Sequence, residues 1–141
     1  MKERFISRSP EETERIAGKI RAALPDGGVV ALYGDLGAGK TVFARGFAAA
    51  LGITEPVSSP TYTILQEYPV PGGGLFYHLD LYRIADARAA LAFGVDEYLN
   101  EPGAWVLAEW PERIETLLPP RTIRLTIRHL SETEREITLR P

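Results

Sequence analysis

The sequence predicts an α/β fold, a mixed, mostly parallel central sheet flanked by helices and carrying β-hairpins, as a single domain over residues 1–141. Three observations predict it. Short apolar runs at 29–33 and 105–108 read as strands buried on both faces, which is what parallel sheets require. A glycine-rich turn at 34–41 joins the first of these runs to a helix. The third is that 141 residues, 45% apolar and 25% charged, suit one sizeable core and lie far from the profile of a disordered chain.

The elements follow in order. Ser9-Pro10-Glu11-Glu12 opens a helix, with Ser9 as N-cap, Pro10 at the first helical position and Glu12 completing a capping box. Ile16, Ile20, Ala23 and Leu24 recur at helical spacing until Pro25-Asp26-Gly27-Gly28 stops them. After the strand at 29–33 and the glycine turn, Phe43, Phe47 and Leu51 mark the next helix, which Gly52 ends. A Ser/Thr/Pro-rich loop at 54–61 leads to a hairpin of strands at 62–70 and 75–82, turned by Pro71-Gly72-Gly73-Gly74. A short helix at 86–93, the strand at 105–108 and a helix at 112–118 closed by Pro119-Pro120 come next. A second hairpin, 122–130 with 135–139, finishes the chain; in it Ile123, Leu125 and Ile127 alternate with Arg124, Thr126 and Arg128.

Composition excludes several classes of function. No cysteine is present, so thiolate metal sites, disulfide frameworks and Cys nucleophiles are ruled out, and His78 and His129 are the only nitrogen ligands for a metal. Sixteen Lys plus Arg against nineteen Asp plus Glu give a net charge of -3, which gives the chain no general attraction for nucleic acid. The N-terminus lacks the apolar stretch of a signal peptide and no apolar run approaches a membrane span, so a soluble cytoplasmic protein without a membrane partner is expected.

Gly34-Asp35-Leu36-Gly37-Ala38-Gly39-Lys40-Thr41 satisfies G-x-x-x-x-G-K-[ST], the P-loop pattern. Its glycines let the backbone aim N–H groups at phosphate, its lysine reaches the β/γ-phosphates, and its hydroxyl ligates Mg²⁺. Chance produces this pattern in roughly 0.5% of chains this long, and the flanking strand and helix make it rarer still. A P-loop NTPase domain is therefore predicted.

Such a site needs an acid at the end of a neighbouring strand to serve Mg²⁺. Glu109 closes a run of four apolar residues and is the better match; Asp80 closes a run that His78 interrupts. Glu109 on the metal and Asp80 on the attacking water or the metal shell is one division of labour, and the pattern alone leaves the assignment open. His78, Asp80 and Tyr82 fall on one strand face by alternation. Ser58-Ser59-Pro60-Thr61 reads as a loop sensing the γ-phosphate or as an ordinary turn before a strand.

Together, GDLGAGKT at 34–41, SPTY at 59–62, HLDLYR at 78–83 and EWPER at 109–113 resemble the TsaE family, the bacterial ATPase of tRNA threonylcarbamoyladenosine (t6A) biosynthesis. The resemblance implies ATP rather than GTP, Mg²⁺ as the metal, and work with TsaD-like and TsaB-like proteins through which tRNA is met indirectly. Carried over by position, it implies that Gly34, Asp35, Leu36, Gly37, Ala38, Gly39, Lys40, Thr41 and Val42 hold the phosphates. Thr41 and Glu109 would serve Mg²⁺, and Lys40 and Asp80 would be needed for hydrolysis. Thr61 would be the switch-loop hydroxyl, Thr13 would lie near the nucleotide, and Trp110 would report on the site.

A small-molecule P-loop kinase is the alternative; it would call for an Arg-rich lid, and Arg121, Arg124 and Arg128 instead fall on a predicted strand. A GTPase is disfavoured because the sole Asn100 precedes Glu101-Pro102 and no N-K-x-D box exists. A nucleotide-binding or tRNA-binding module without turnover is the third class. No arginine stands in a motif that marks it as a finger, Arg83 being the nearest candidate, so slow turnover by the lone chain is expected.

Overall fold

The computed structural model describes residues 3–35, 37–57 and 64–140. Seven strands form one sheet: β1 (Glu3–Ser7), β2 (Gly28–Tyr33), β3 (Leu65–Pro69), β4 (Leu75–Asp80), β5 (Trp105–Glu109), β6 (Ile123–His129) and β7 (Arg135–Arg140). Their order across the sheet is β1-β7-β6-β2-β5-β4-β3. The four central strands, β6, β2, β5 and β4, are mutually parallel. Both edges are antiparallel, through β1 with β7, β7 with β6, and β3 with β4. The predicted mixed sheet is present, parallel in its centre.

The helices α1 (Pro10–Ala22), α2 (Lys40–Ala50), α3 (Ala87–Ala92) and α4 (Val95–Leu99) and a 3-10 helix at Pro111–Leu117 cover the two faces. Alternation along each buried strand divides the core: Leu107 and Phe76 join Ile16, Phe43 and Phe47 of α1 and α2 on one side. Val106, Ala108 and Leu79 meet Ala90, Val95, Leu99 and Ile114 on the other. The helix pair α1–α2 crosses closely at Gly46, where a Cβ would lie 2.5 Å from Glu14 Cα.

Ser9 caps α1 as the sequence predicts, its hydroxyl accepting from the Glu12 N–H at 3.1 Å. Glu12 does not close a capping box on Ser9; its carboxylate accepts the Arg8 N–H at 3.0 Å, one residue further out.

Other boundaries differ from expectation. Strand β1 and helix α4 were not foreseen. The helix expected at 112–118 is a 3-10 turn starting at Pro111, interrupted at Ile114 with φ -136°. The strand expected to reach residue 82 ends at Asp80, so Tyr82 does not share a strand face with His78 and Asp80 and instead stands exposed in the following turn. Of the strand expected at 62–70, residues 62 and 63 lie outside the described residues, as do Leu36, Thr61 and the whole stretch 58–61. Among the described residues no helix is long and apolar enough to cross a membrane.

Candidate active site

The parallel strands end on one row. Leu32 of β2 pairs with Glu109 of β5, and Glu109 with Asp80 of β4. In open α/β sheets ligands bind beyond these carboxyl ends. From β2 the chain runs through the glycine-rich loop directly into α2, whose N-cap is Gly39 with φ 107° and no side-chain cap. The first-turn amides of Lys40, Thr41 and Val42 therefore stand at a helix N-terminus that a side chain does not close, an arrangement that favours an anion. Strand β5 is the direct neighbour of β2 and β4 lies one strand further, so the sheet order brings both predicted acids to the loop, Glu109 the nearer in strand order.

Lys40 is the residue with the most unusual surroundings. It is only 5% exposed, and among the described residues its ammonium has no hydrogen-bond partner. The nitrogen stands over the ring of Trp110, 4.0 Å from the centroid. Burial lowers its pKa from the ordinary 10.5, and the carboxylates of Glu109, Glu112, Asp80 and Asp35 offset this only in part. A buried cation with no acceptor among the described residues, at the mouth of a glycine loop, fits a phosphate.

Trp110 holds that position in a left-handed backbone conformation, φ 58° and ψ 47°, the only positive φ outside glycine among the described residues. Tyr82 packs against its ring at 4.9 Å between centroids. The family resemblance implies Trp110 as a reporter on the site; that it covers the lysine ammonium is not legible from spacing.

Glu109 is buried, and its carboxylate accepts a hydrogen bond from His78 Nε2 at 2.6 Å. His78 is fully buried and stacked on Phe76, and its Nδ1 has no partner among the described residues. Since Nε2 faces a carboxylate oxygen, it is the nitrogen that carries hydrogen. The histidine thus orients the acid, a role hidden in the sequence because it depends on β4 lying beside β5. Asp80 is half-buried, and its Oδ1 accepts the Tyr82 N–H at 3.0 Å.

Gly34 and Asp35 follow β2, and Gly37, Ala38, Gly39, Lys40, Thr41 and Val42 lead into and open α2, whereas Leu36 and Thr61 lie outside the described residues. A cavity of about 370 Å³ adjoins Gly39 and is lined by Ser9, Thr13, Val42, Thr133 and Arg135 among others. Thr13 is a wall of this cavity, but its hydroxyl is shared with Ser7 Oγ at 2.6 Å. A second cavity of about 410 Å³ flanks the loop on the side of Gly34, Asp35, Glu112, Arg128 and His129. His129 and Arg135, which no motif marks, join the surroundings of the loop.

Comparison with known proteins is consistent with this geometry. The family model described as "Threonylcarbamoyl adenosine biosynthesis protein TsaE" matches residues 7–137. A Bacillus subtilis protein named tRNA threonylcarbamoyladenosine biosynthesis protein TsaE is 46% identical over 130 residues, covering 92% of this chain and 80% of the relative. A Treponema pallidum protein of the same name is 40% identical over 136 residues, 96% of this chain and 98% of the relative. The fold is similar to the crystal structure of Bacillus subtilis YdiB, with a TM-score of 0.80, 39% identity, and coverage of 99% of this chain and 84% of the other.

Proposed function

The chain belongs to the TsaE family, and from that premise we propose that it is a slow Mg²⁺-dependent ATPase that supports t6A modification of tRNA. In this reading ATP binding and hydrolysis are coupled to a complex of TsaD-like and TsaB-like proteins, which holds the tRNA. The observation that carries the nucleotide reading is the buried ammonium of Lys40, without a hydrogen-bond partner among the described residues, beside the uncapped N-terminus of α2. A cation so desolvated attracts a polyphosphate far more strongly than one in water.

Each residue has a role in that reading. The first-turn amides of α2 and the glycine loop bind phosphate oxygens, and Lys40 balances their charge. Thr41 and Glu109 would hold Mg²⁺, which when bound neutralises charge on the β- and γ-phosphate oxygens. His78 keeps the Glu109 carboxylate oriented, as partners of metal-binding groups commonly do. Asp80, one strand further along the row, orients the attacking water. The cavity between Gly39, Thr13 and Val42 offers room for the nucleoside.

Titration calorimetry of ATP and Mg²⁺ against the wild type and Lys40→Ala tests the site. Unchanged affinity in a folded Lys40→Ala protein would refute the assignment of residues 34–41. Coupling is tested by phosphate release with and without the TsaD–TsaB complex, and by tRNA binding to the isolated chain at physiological salt. In P-loop switch proteins an arginine supplied in trans raises turnover by about 10³–10⁵, so strong stimulation is expected. Fast turnover indifferent to the complex would favour a small-molecule kinase, and tight tRNA binding by this chain alone would favour a tRNA-binding module.

A further inference from the structure

The C-terminal hairpin carries no nucleotide-binding motif, yet two of its side chains reach back to the glycine-rich loop. Arg135 Nε donates to the Ala38 carbonyl at 3.1 Å, and His129 Nε2 lies 2.7 Å from the Gly37 carbonyl. A carbonyl only accepts, so Nε2 of His129 carries the hydrogen. Arg135 is itself braced: its Nη1 donates to the carbonyls of Ser131, Glu132 and Glu134 at 3.1, 3.3 and 3.1 Å, closing the β6–β7 turn around the guanidinium. Behind the loop the same hairpin is in close contact, since a Cβ on Gly34 would meet the Ile127 carbonyl at 2.7 Å.

Peptide planarity turns these contacts into a statement about donors. Across a trans peptide the C=O and the following N–H point in opposite directions. The Gly37–Ala38 peptide is therefore pinned at both ends, by His129 on its oxygen and by the Ala38 N–H on the Asp35 carbonyl at 3.1 Å. The Ala38–Gly39 peptide is pinned at its oxygen by Arg135, which directs the Gly39 N–H away from the hairpin, at the point where α2 begins. A loop with glycine at 34, 37 and 39 loses much conformational freedom on being fixed, and bracing it before a ligand arrives lowers the cost of binding.

We propose that the β6–β7 hairpin is the rigid backing of the phosphate cradle, with His129 and Arg135 as positioning residues: His129 fixes the Gly37–Ala38 peptide, whose N–H is spent on Asp35, and Arg135 turns the Ala38–Gly39 peptide so that its N–H faces away from the hairpin towards an anion. The proposal rests on the nucleotide reading above, and extends the site to a part of the chain that no motif identifies. Neither side chain need touch the nucleotide; both act through loop carbonyls.

The test uses the full chain as wild type, Arg135→Ala, His129→Ala and, as a control on the same turn, Leu130→Ala, whose side chain is 46% exposed. Hydrogen exchange of the amides of residues 37–41 is followed by NMR in the nucleotide-free proteins, and ADP with Mg²⁺ is then titrated calorimetrically. Exchange in the loop should speed up and ADP affinity should fall about tenfold in Arg135→Ala, the loss of one hydrogen bond from a charged donor, and by less in His129→Ala. Turnover at saturating ATP should change much less than KM. Leu130→Ala should match the wild type in both measurements.

Unaltered loop exchange in both Arg135→Ala and His129→Ala overturns the proposal, as does equal loosening in Leu130→Ala. Should Arg135→Ala fail to fold, His129→Ala decides the question alone. If the wild type does not bind ADP, the nucleotide reading fails, while the exchange data on the free chain still decide whether the hairpin braces the loop.

Discussion

Replacing Lys40 with methionine should stabilise the nucleotide-free chain while removing its response to nucleotide. The side chain is buried and its ammonium lacks an acceptor among the described residues. An unsatisfied buried donor costs about 1–3 kcal/mol, and more when charged. The face of Trp110 at 4.0 Å returns about 2 kcal/mol. Four nearby carboxylates also favour the charge, yet the lowered pKa shows that burial outweighs them. Methionine keeps the apolar stem in place and removes the charge. A net gain of about 1 kcal/mol, or roughly 3–5 °C in Tm for a chain of this size, is expected.

The pH dependence follows from the sign of the shift. A lysine whose folded pKa lies below its unfolded 10.5 penalises the folded state at every pH below the folded value. Between the two values the unfolded chain binds the proton that the folded chain has released, so wild-type stability rises with pH there. The advantage of Lys40→Met should therefore shrink as the pH is raised towards 10.5. With ADP and Mg²⁺ at a hundred times Kd, the wild type should gain about 2.7 kcal/mol and overtake the variant, which gains little. Scanning calorimetry with and without nucleotide reads both effects. A variant less stable than wild type by about 1 kcal/mol or more in the absence of nucleotide would refute the reasoning, because the ammonium would then be held by a net attractive partner.

Gly46→Ala should destabilise the fold by about 1–3 kcal/mol in urea unfolding, because its Cβ would press on the backbone of α1 at Glu14. His78→Leu should lower stability by about 2–3 kcal/mol by leaving the Glu109 carboxylate buried without its donor, and His78→Gln, whose amide N–H reaches the place of Nε2, should recover at least half of that. Asp80→Ala and Glu109→Ala should keep nucleotide affinity and slow phosphate release. Only Glu109→Ala should demand more Mg²⁺ for the same rate, and the opposite pattern would exchange the two roles.

What the sequence made legible was local or tied to a motif. The α1 cap, the strand–loop–helix unit and the two acids ending apolar runs each rest on neighbouring residues. What it hid depends on which strands become neighbours. Strand β1 is five residues with only Phe5 and Ser7 turned to the core, and its partner β7 lies at the far end of the chain. The His78–Glu109 bond exists because β4 lies beside β5, an adjacency no spacing encodes. The left-handed Trp110 is equally silent, since φ and ψ of a single non-glycine residue leave no compositional trace. His129 and Arg135 are ordinary polar residues of a hairpin until the fold carries them to the loop.

The pairing of β1 with β7 sets a timetable for synthesis. Ribosomes deliver chains at about 5–20 residues per second, and Ser7 has to wait for Arg135 before its strand can close. During that interval β1 has no edge to join, and the glycine-rich loop exists without the hairpin behind it. A nascent chain halted after β5 would present the loop, Lys40 and both acids, yet lack His129 and Arg135. If the nucleotide reading proposed above holds, a chain halted there should capture ATP poorly, for want of the hairpin that backs the loop.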